Sequence, residues 1–265
     1  MSEKHNPEIR TDIPASARIW NYWMGGTDNF EIDRVIGDQS AQIYPDIRTM
    51  AVQSRQFLIR AVSWAAREAG IRQFLDIGTG LPTMQNTHQV AQSIAPESKV
   101  VYVDHDPLVL THARAMLTNT TSEGVTTYID ADFRKPEIII ADAQNILNFE
   151  VPISVMFMGV LGHIESHDEM HRIVRTVMAA VPAGSYLTLW DTSDENKEFV
   201  HLCDEYAKTG ALPYNPRPTE QIKAAFDGLE MVEPGFVEIT EWRPDKPDTE
   251  AGPSVYAYGA VARKP

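Results

Sequence analysis

The chain has 265 residues, 23 of them Lys or Arg and 37 Asp or Glu, for a formal net charge of −14. That acidity disfavours nucleic acid, whose phosphates are usually met by clustered Lys and Arg, and it disfavours anionic membranes. A single cysteine, Cys203, excludes an internal disulfide and any zinc site built on cysteine ligands.

Taken in order, Met1 to Asp12 is polar and offers no signal peptide. The longest apolar run, Ile153 to Leu161, has about half the length of a membrane-spanning helix, so a cytoplasmic protein is expected. The stretch Arg18 to Phe30 concentrates four aromatic residues around Gly25-Gly26, flanked by Asn and Asp side chains that cap and turn. Two readings stay open for it: packing of helices against a sheet, or a lid whose aromatic faces cover a ligand. Arg48 to Ala69 repeats apolar residues at helical spacing (Phe57, Ala61, Trp64 and Leu58, Val62, Ala65), and Gly70 supplies the stop.

Past residue 70, short apolar runs alternate with helical patterns. Gln73–Ile77, Lys99–Val103, Thr126–Asp130, Ile153–Met158 and Ser185–Trp190 read as strands. Pro107–Asn119 reads as a helix with Asp106 at its cap. Another helix follows Ser166, with Glu169 completing a capping box and Met170, Val174, Val177 and Val181 forming one stripe. This alternation predicts a parallel sheet covered on both faces. Gly235–Trp242 and Ser254–Ala262 have no helix between them, only a loop with Pro244, Pro247 and Pro253, and should pair as an antiparallel hairpin. The predicted fold is therefore α/β: a Rossmann-like, mostly parallel seven-stranded sheet with an antiparallel C-terminal hairpin and an N-terminal helical cap. That ending is expected of class I S-adenosylmethionine (SAM) methyltransferases. Residues 1–70 would form the cap or lid and 71–265 the SAM-binding domain.

Asp76-Ile77-Gly78-Thr79-Gly80 follows the first strand. Gly78 and Gly80 let backbone approach a nucleoside closely, but Pro82 and Thr83 depart from the glycine-rich pyrophosphate fingerprint. SAM carries no phosphate, and an acid at Asp76 suits its ammonium. Asp104, with His105 beside it, ends the second strand, where a carboxylate accepts from both ribose hydroxyls. Asp132 and Phe133, past the third strand, can meet an adenine amino group and ring. The fourth strand ends in Met158-Gly159-Val160-Leu161-Gly162-His163, without the motifs of DNA-base methylation and without a magnesium-chelating carboxylate. A small-molecule acceptor is expected. His163 is the evident proton acceptor at that strand end, though a histidine bonded to nearby backbone is an equal reading. Asp191-Thr192-Ser193, the helix Asn196 to Lys208 and the loop Tyr214–Arg217 could wall an acceptor pocket. A metal site at His163, Glu165, His167 and His171 is disfavoured, because such spacings are common by chance on a solvent-facing helix start.

With these motifs in hand, the chain resembles a bacterial family of SAM-dependent methyltransferases formerly classed as a domain of unknown function. The resemblance runs through ARIWNYWMGGTDNF (Ala17 to Phe30), QFLDIGTGLPT (Gln73 to Thr83), VYVDHDP (Val101 to Pro107), YIDADFR (Tyr128 to Arg134), FDGLEMVEPG (Phe226 to Gly235) and Trp242-Arg243-Pro244. It implies SAM as cofactor, S-adenosylhomocysteine (SAH) as product, and Tyr22, Trp23, Gly25, Gly26 and Asn29 as cofactor-pocket residues. It leaves the acceptor open. A non-catalytic SAM- or SAH-binding sensor or partner protein is the alternative reading, and a nicotinamide-dependent oxidoreductase is disfavoured by Pro82, Thr83 and the final hairpin.

Overall fold

The computed structural model describes residues 9–82, 85–116, 120–244 and 254–265, with backbone alone over 112–116. Thr83, the end of the helix expected to reach Asn119, and Pro247 and Pro253 lie outside the described residues.

Three helices come first: α1 (Ser16–Trp23), α2 (Glu31–Ile43) and α3 (Ile47–Arg67). One buried carboxylate starts the first two. Asp33 accepts the backbone N–H of Ala15 (3.0 Å) and of Phe30 (2.9 Å), the residues just before α1 and α2. It also pairs with the Arg18 guanidinium at 2.7 Å, both side chains almost wholly out of solvent. Arg18 uses its other nitrogens on the carbonyls of Arg10 (2.8 Å) and Ile13 (2.5 Å). Four chain segments thus converge on one ion pair.

The sheet begins with β1 (Gln73–Ile77), and the chain continues through α4 (Thr87–Ile94), β2 (Lys99–Asp104), α5 (Pro107–Met116), β3 (Val125–Asp130), α6 (Pro136–Ala143) and β4 (Ser154–Met158). A 3-10 turn, Leu161–His163, leads into α7 (His167–Ala180), β5 (Tyr186–Thr192), α8 (Lys197–Ala207) and α9 (Thr219–Lys223). β6 (Glu230–Met231), β7 (Val237–Glu238) and β8 (Ala257–Arg263) close the chain. The spatial order is β3-β2-β1-β4-β5-β8-β6, with β7 also paired to β8. β1 to β5 run parallel, and β8 lies antiparallel to β5.

Alternation along the strands assigns the two faces. Leu75, Val101, Val155 and Leu187 meet Ile139, Val174 and Val177 of α6 and α7. Phe74, Val100 and Met156 meet Leu58 and Val62 of α3 and Val90 of α4. Within residues 9–70, α3 shares a core layer with α4, while α1 and α2 lie toward α8. Among the described residues no helix is long and apolar enough to cross a membrane.

The expected strand over Gly235–Trp242 is mostly absent. Only Val237–Glu238 pairs there, and the edge of β8 is shared with the earlier Glu230–Met231. Burial explains the break. Ile239 and Trp242 are fully buried, with Trp242 edge-on to Phe57 at 5.6 Å, so the chain leaves the sheet to fill the gap beneath α3. Arg60 holds that excursion, donating to the carbonyls of Trp242 (2.8 Å) and Ile239 (2.6 Å).

Removing one partner of a buried pair leaves an uncompensated charge, at a cost of about 3–5 kcal/mol. Arg18→Ala should lower the urea-unfolding free energy by that amount. A loss below about 1 kcal/mol, the range of a surface pair, would contradict the anchoring role.

Candidate functional site

The strand order reverses between β1 and β4, and open α/β sheets bind ligands outside the carboxyl ends of their strands at such a point. A cleft of about 400 Å³ lies there. Its floor is backbone. Gly78 and Gly159, at the ends of β1 and β4, have φ of +73° and +74°, and a Cβ on them would stand 2.3 Å from Val160 and 2.4 Å from the Trp190 ring. Any side chain at either position would be strained and obstructed, so the close approach of the two strand ends requires glycine.

Of the three aspartates that line the cleft, Asp76, Asp104 and Asp106, the first two stand at strand ends. Asp76 shares a face with Phe74 and so points into the α3 and α4 layer. There its Oδ2 accepts from Thr87 Oγ1 at 2.7 Å, and burial pushes its pKa up to about 6. Arg55 of α3 lines the same cleft, and its charge draws the Asp76 pKa back down, against the effect of burial. Asp104 ends β2 and is held by three backbone N–H donors: Gly80 (2.8 Å) on Oδ2, His105 (2.8 Å) and Asp106 (3.0 Å) on Oδ1. A carboxylate has about four acceptor positions, so Oδ2 keeps one free and the group is oriented before any ligand arrives. Burial raises its pKa as well.

His163 sits at the opposite wall, on the 3-10 turn after β4. Its Nδ1 is 2.8 Å from the carbonyl oxygen of Pro213. A carbonyl only accepts, so Nδ1 carries the proton and donates. Burial lowers the pKa of the ring below the usual histidine value, so at neutral pH Nε2 is a bare acceptor, 3.1 Å from Ser16 Oγ. The turn itself is clamped. Buried Arg217 donates to the carbonyls of Leu161 (3.1 Å) and Ile164 (2.6 Å), and Asn215 donates its backbone N–H to Gly162 O at 2.7 Å. Tyr214 stands edge-on to the imidazole at 5.2 Å and donates its hydroxyl to Asp191, whose pKa burial raises to about 6.

Of the residues singled out from sequence, Asp76, Gly78, Gly80, Asp104, His105, Phe133, Gly159 and His163 line this one cleft. Asp132 flanks it, accepting the Arg134 N–H at 3.0 Å. Tyr22, Trp23, Gly25, Gly26 and Asn29 are not among its lining residues. Tyr22 donates to Asp38 (2.9 Å) and Trp23 donates to Gly37 O (3.0 Å), fastening α1 to α2, while Asn29 donates to Asn21 and Gly26 and so closes the loop between the two helices. Gly25 takes the positive φ of +81° that ends α1. From the same segment Ala17, Trp20 and Met24 line the cleft instead, with Ser16 just before it. Sequence reading passed over Arg55, although its signal was present: a lone charge on the buried stripe Ala51, Arg55, Leu58, Val62. Among the described residues no cluster of three His, Cys, Asp or Glu is disposed to hold a metal. His167 and His171 lie with centroids 4.1 Å apart and planes tilted by 57°, and His171 meets the Gln221 carbonyl.

The profile of a family described as S-adenosyl methyltransferase matches residues 2–265. A DUF574 family protein from Streptomyces avermitilis is 39% identical over 97% of this chain and 100% of its own, with a TM-score of 0.92. A Thermobifida fusca protein provisionally assigned as a methyltransferase is 37% identical over 99% of each chain, with a TM-score of 0.88. A SAM-dependent methyltransferase from Anabaena variabilis, 15% identical over 100% of this chain and 99% of its own with a TM-score of 0.50, shares the fold. No curated protein matches in sequence. The chain belongs to the S-adenosyl methyltransferase family, as a Rossmann-like SAM-dependent methyltransferase whose cofactor is SAM.

Nitrogen NMR of the histidine rings tests the geometry of His163. Between pH 6.5 and 7.5 its resonances should report the neutral Nδ1–H tautomer, with a midpoint below the unperturbed 6.5. An imidazolium at pH 7, or a proton on Nε2, would contradict it.

Proposed function

We propose that this methyltransferase moves the methyl group of SAM to a small-molecule acceptor, with His163 as the base that receives the acceptor's proton. The observation that carries the reading is His163 on the wall of a cleft shared with Asp76, Asp104 and two strand-end glycines, its Nδ1 bonded to the Pro213 carbonyl so that Nε2 is left as the acceptor. Transfer from a sulfonium is a displacement in which the cofactor supplies the reactive carbon, leaving orientation and proton removal to the protein.

In this reading Asp104 holds the ribose through the lone pair that the backbone donors leave free on Oδ2. Phe133 packs on the adenine, with Asp132 at its amino group and His105 at the rim. Gly78, Gly80 and Gly159 admit the nucleoside against bare backbone. Asp76 and Arg55 divide the amino-acid end: the carboxylate takes the ammonium, and the guanidinium takes the carboxylate. Tyr22, Trp23, Gly25, Gly26 and Asn29 act through Trp20 and Ser16, by fixing the helix that carries both. Residues 71–265 bind most of the cofactor, Arg55 of α3 adds its contact from the N-terminal segment, and the part of the 1–70 cap that closes over the site is α1 with α2. The net charge of −14 favours an acceptor other than nucleic acid, and a cytoplasmic setting accords with one buried cysteine in place of disulfides.

Methyl-labelled SAM, incubated with the purified chain and a protein-free metabolite extract, should yield a labelled small molecule. His163→Ala should slow its formation about 10²–10⁴-fold, the usual share of a general base, while leaving SAM affinity unchanged. SAM bound without any label transferred would favour a sensor instead.

Two binding measurements address the amino-acid end. Asp76 must be ionised to hold an ammonium and titrates near 6 in the free protein, so SAM affinity should fall about tenfold per pH unit below that value. Flat affinity from pH 5 to 7.5 would remove Asp76 from the site. Arg55→Ala should weaken SAM by about 1.5–3 kcal/mol, the worth of a hydrogen bond to a charged group, and leave 5′-methylthioadenosine, which has no amino-acid end, unaffected. Equal losses for both ligands would contradict the carboxylate role.

A further inference from the structure

Beyond the cleft lies a second cavity that the cofactor reading does not use. It has about 40 Å³ of free space between α1, α2 and α8, and its walls include Trp20, Trp23, Phe199, Tyr206 and Tyr214. Ser16, Trp20 and His163 line both this cavity and the cleft, so they form the partition between them. We propose that this is the acceptor pocket and that its occupant is a phenol, an aromatic ring whose hydroxyl replaces Ser16 on His163 Nε2. The proposal rests on the SAM-and-His163 reading above and names the substrate class for it.

Three features favour a phenol. First, the lining is mostly aromatic and aliphatic, Ile19, Ile47 and Leu202 joining the rings, with Ser40 and Cys203 as small uncharged groups beside Ser16 and His163 and no carboxylate among its residues. A cationic amine would find no counter-charge there, and a sugar too few partners for its hydroxyls. The rings are set edge to face, Trp20 to Trp23 at 5.7 Å and Phe199 to Tyr214 at 6.2 Å, the arrangement into which a further ring inserts. Second, a hydroxyl already occupies the reacting position, since Ser16 Oγ lies 3.1 Å from Nε2. A phenolic proton, with a pKa near 10, is within reach of a neutral histidine as attack develops. Third, the Tyr206 hydroxyl is buried without a hydrogen-bond partner. A buried orphan hydroxyl is costly, and a polar substituent on the far side of the ring would satisfy it.

The step balances. The phenol oxygen bonds to the methyl carbon as the carbon–sulfur bond breaks, its electron pair stays on sulfur to give SAH, and the hydroxyl proton passes to Nε2. The present volume holds water but not a ring, which needs about 150 Å³. Binding therefore requires the lining side chains to move apart, and the Ser16–His163 contact is the tie that an incoming hydroxyl releases.

The test uses the full chain with methyl-labelled SAM and four probes: 4-acetylphenol, 2-naphthol, 4-methylaniline and 1-hexanol. The two phenols should be methylated on oxygen, with kcat/KM at least tenfold above the amine or the alkanol. Leu202→Trp fills the pocket and should cut phenol turnover at least tenfold, with SAM affinity by calorimetry within twofold of the parent. Should that variant fail to fold, Leu202→Ala supplies the converse: enlarging the pocket should raise the 2-naphthol to 4-acetylphenol ratio of kcat/KM at least fivefold. Unaltered ratios in Leu202→Ala, undiminished turnover in a folded Leu202→Trp, or SAM binding with no phenol methylated would each overturn the proposal. Methylation of a non-aromatic probe that His163→Ala abolishes would sink the phenol pocket while leaving the His163 reading intact. Loss of SAM binding by the parent chain would instead strike that earlier reading.

Discussion

The bond from His163 Nδ1–H to the Pro213 carbonyl decides which ring nitrogen is left to work in the cleft. A histidine free to flip or change tautomer would offer a donor as often as an acceptor, and a donor cannot take a proton. Pro213 can dictate this because the loop after it is fixed. Arg217 and Asn215 bind the carbonyls of the turn carrying His163, and Tyr214 reaches the buried Asp191 at the end of β5. The sheet end, the loop and the turn therefore form one rigid unit with the imidazole at its edge. Preorganisation of this kind lets a modestly basic group act without first being ordered.

The same cleft holds its acids at a cost. Asp76 and Asp104 are both destabilised as anions by burial, and both are partly rescued, Asp76 by Thr87 and Arg55 and Asp104 by backbone donors. Carboxylates so placed interact strongly with a cation, because low dielectric magnifies whatever charge arrives. An ammonium satisfies Asp76 better than a hydroxyl does, so a site that is electrostatically uncomfortable when empty is well matched to a zwitterionic amino-acid group. Sites with raised carboxylate pKa values are often functional for this reason.

The core was legible in the sequence because its physics is local and repetitive. β1, β2, β4 and β5 are apolar runs buried on both faces, their residues alternating between two helical layers, while the edge strand β3 is mostly half-buried. Ser166 caps α7 where the pattern placed it, accepting from Glu169, and Asn196, read as the first residue of a helix, caps α8 by accepting from Phe199. What escaped depends on contacts distant in sequence. The strand expected over Gly235–Trp242 has the right composition, yet Trp242 is claimed by Phe57 and Trp64, nearly two hundred residues earlier, and the chain bends to deliver it. The aromatic motif near the N-terminus was conspicuous as composition. Which of its side chains face the cleft depends on the rotation of α1, and that is set by the Arg18–Asp33 pair and by Trp23 bonding to Gly37. Ser16 and Pro213 carry no signal of their own, because each matters only through its distance to His163.

A crystal structure of the chain with SAH measures the central claim most directly. The account predicts the ribose on Asp104, the amino-acid end between Asp76 and Arg55, and the sulfur facing His163 Nε2 across the partition formed by Ser16 and Trp20. A sulfur sealed behind backbone, with no path to His163, would contradict it.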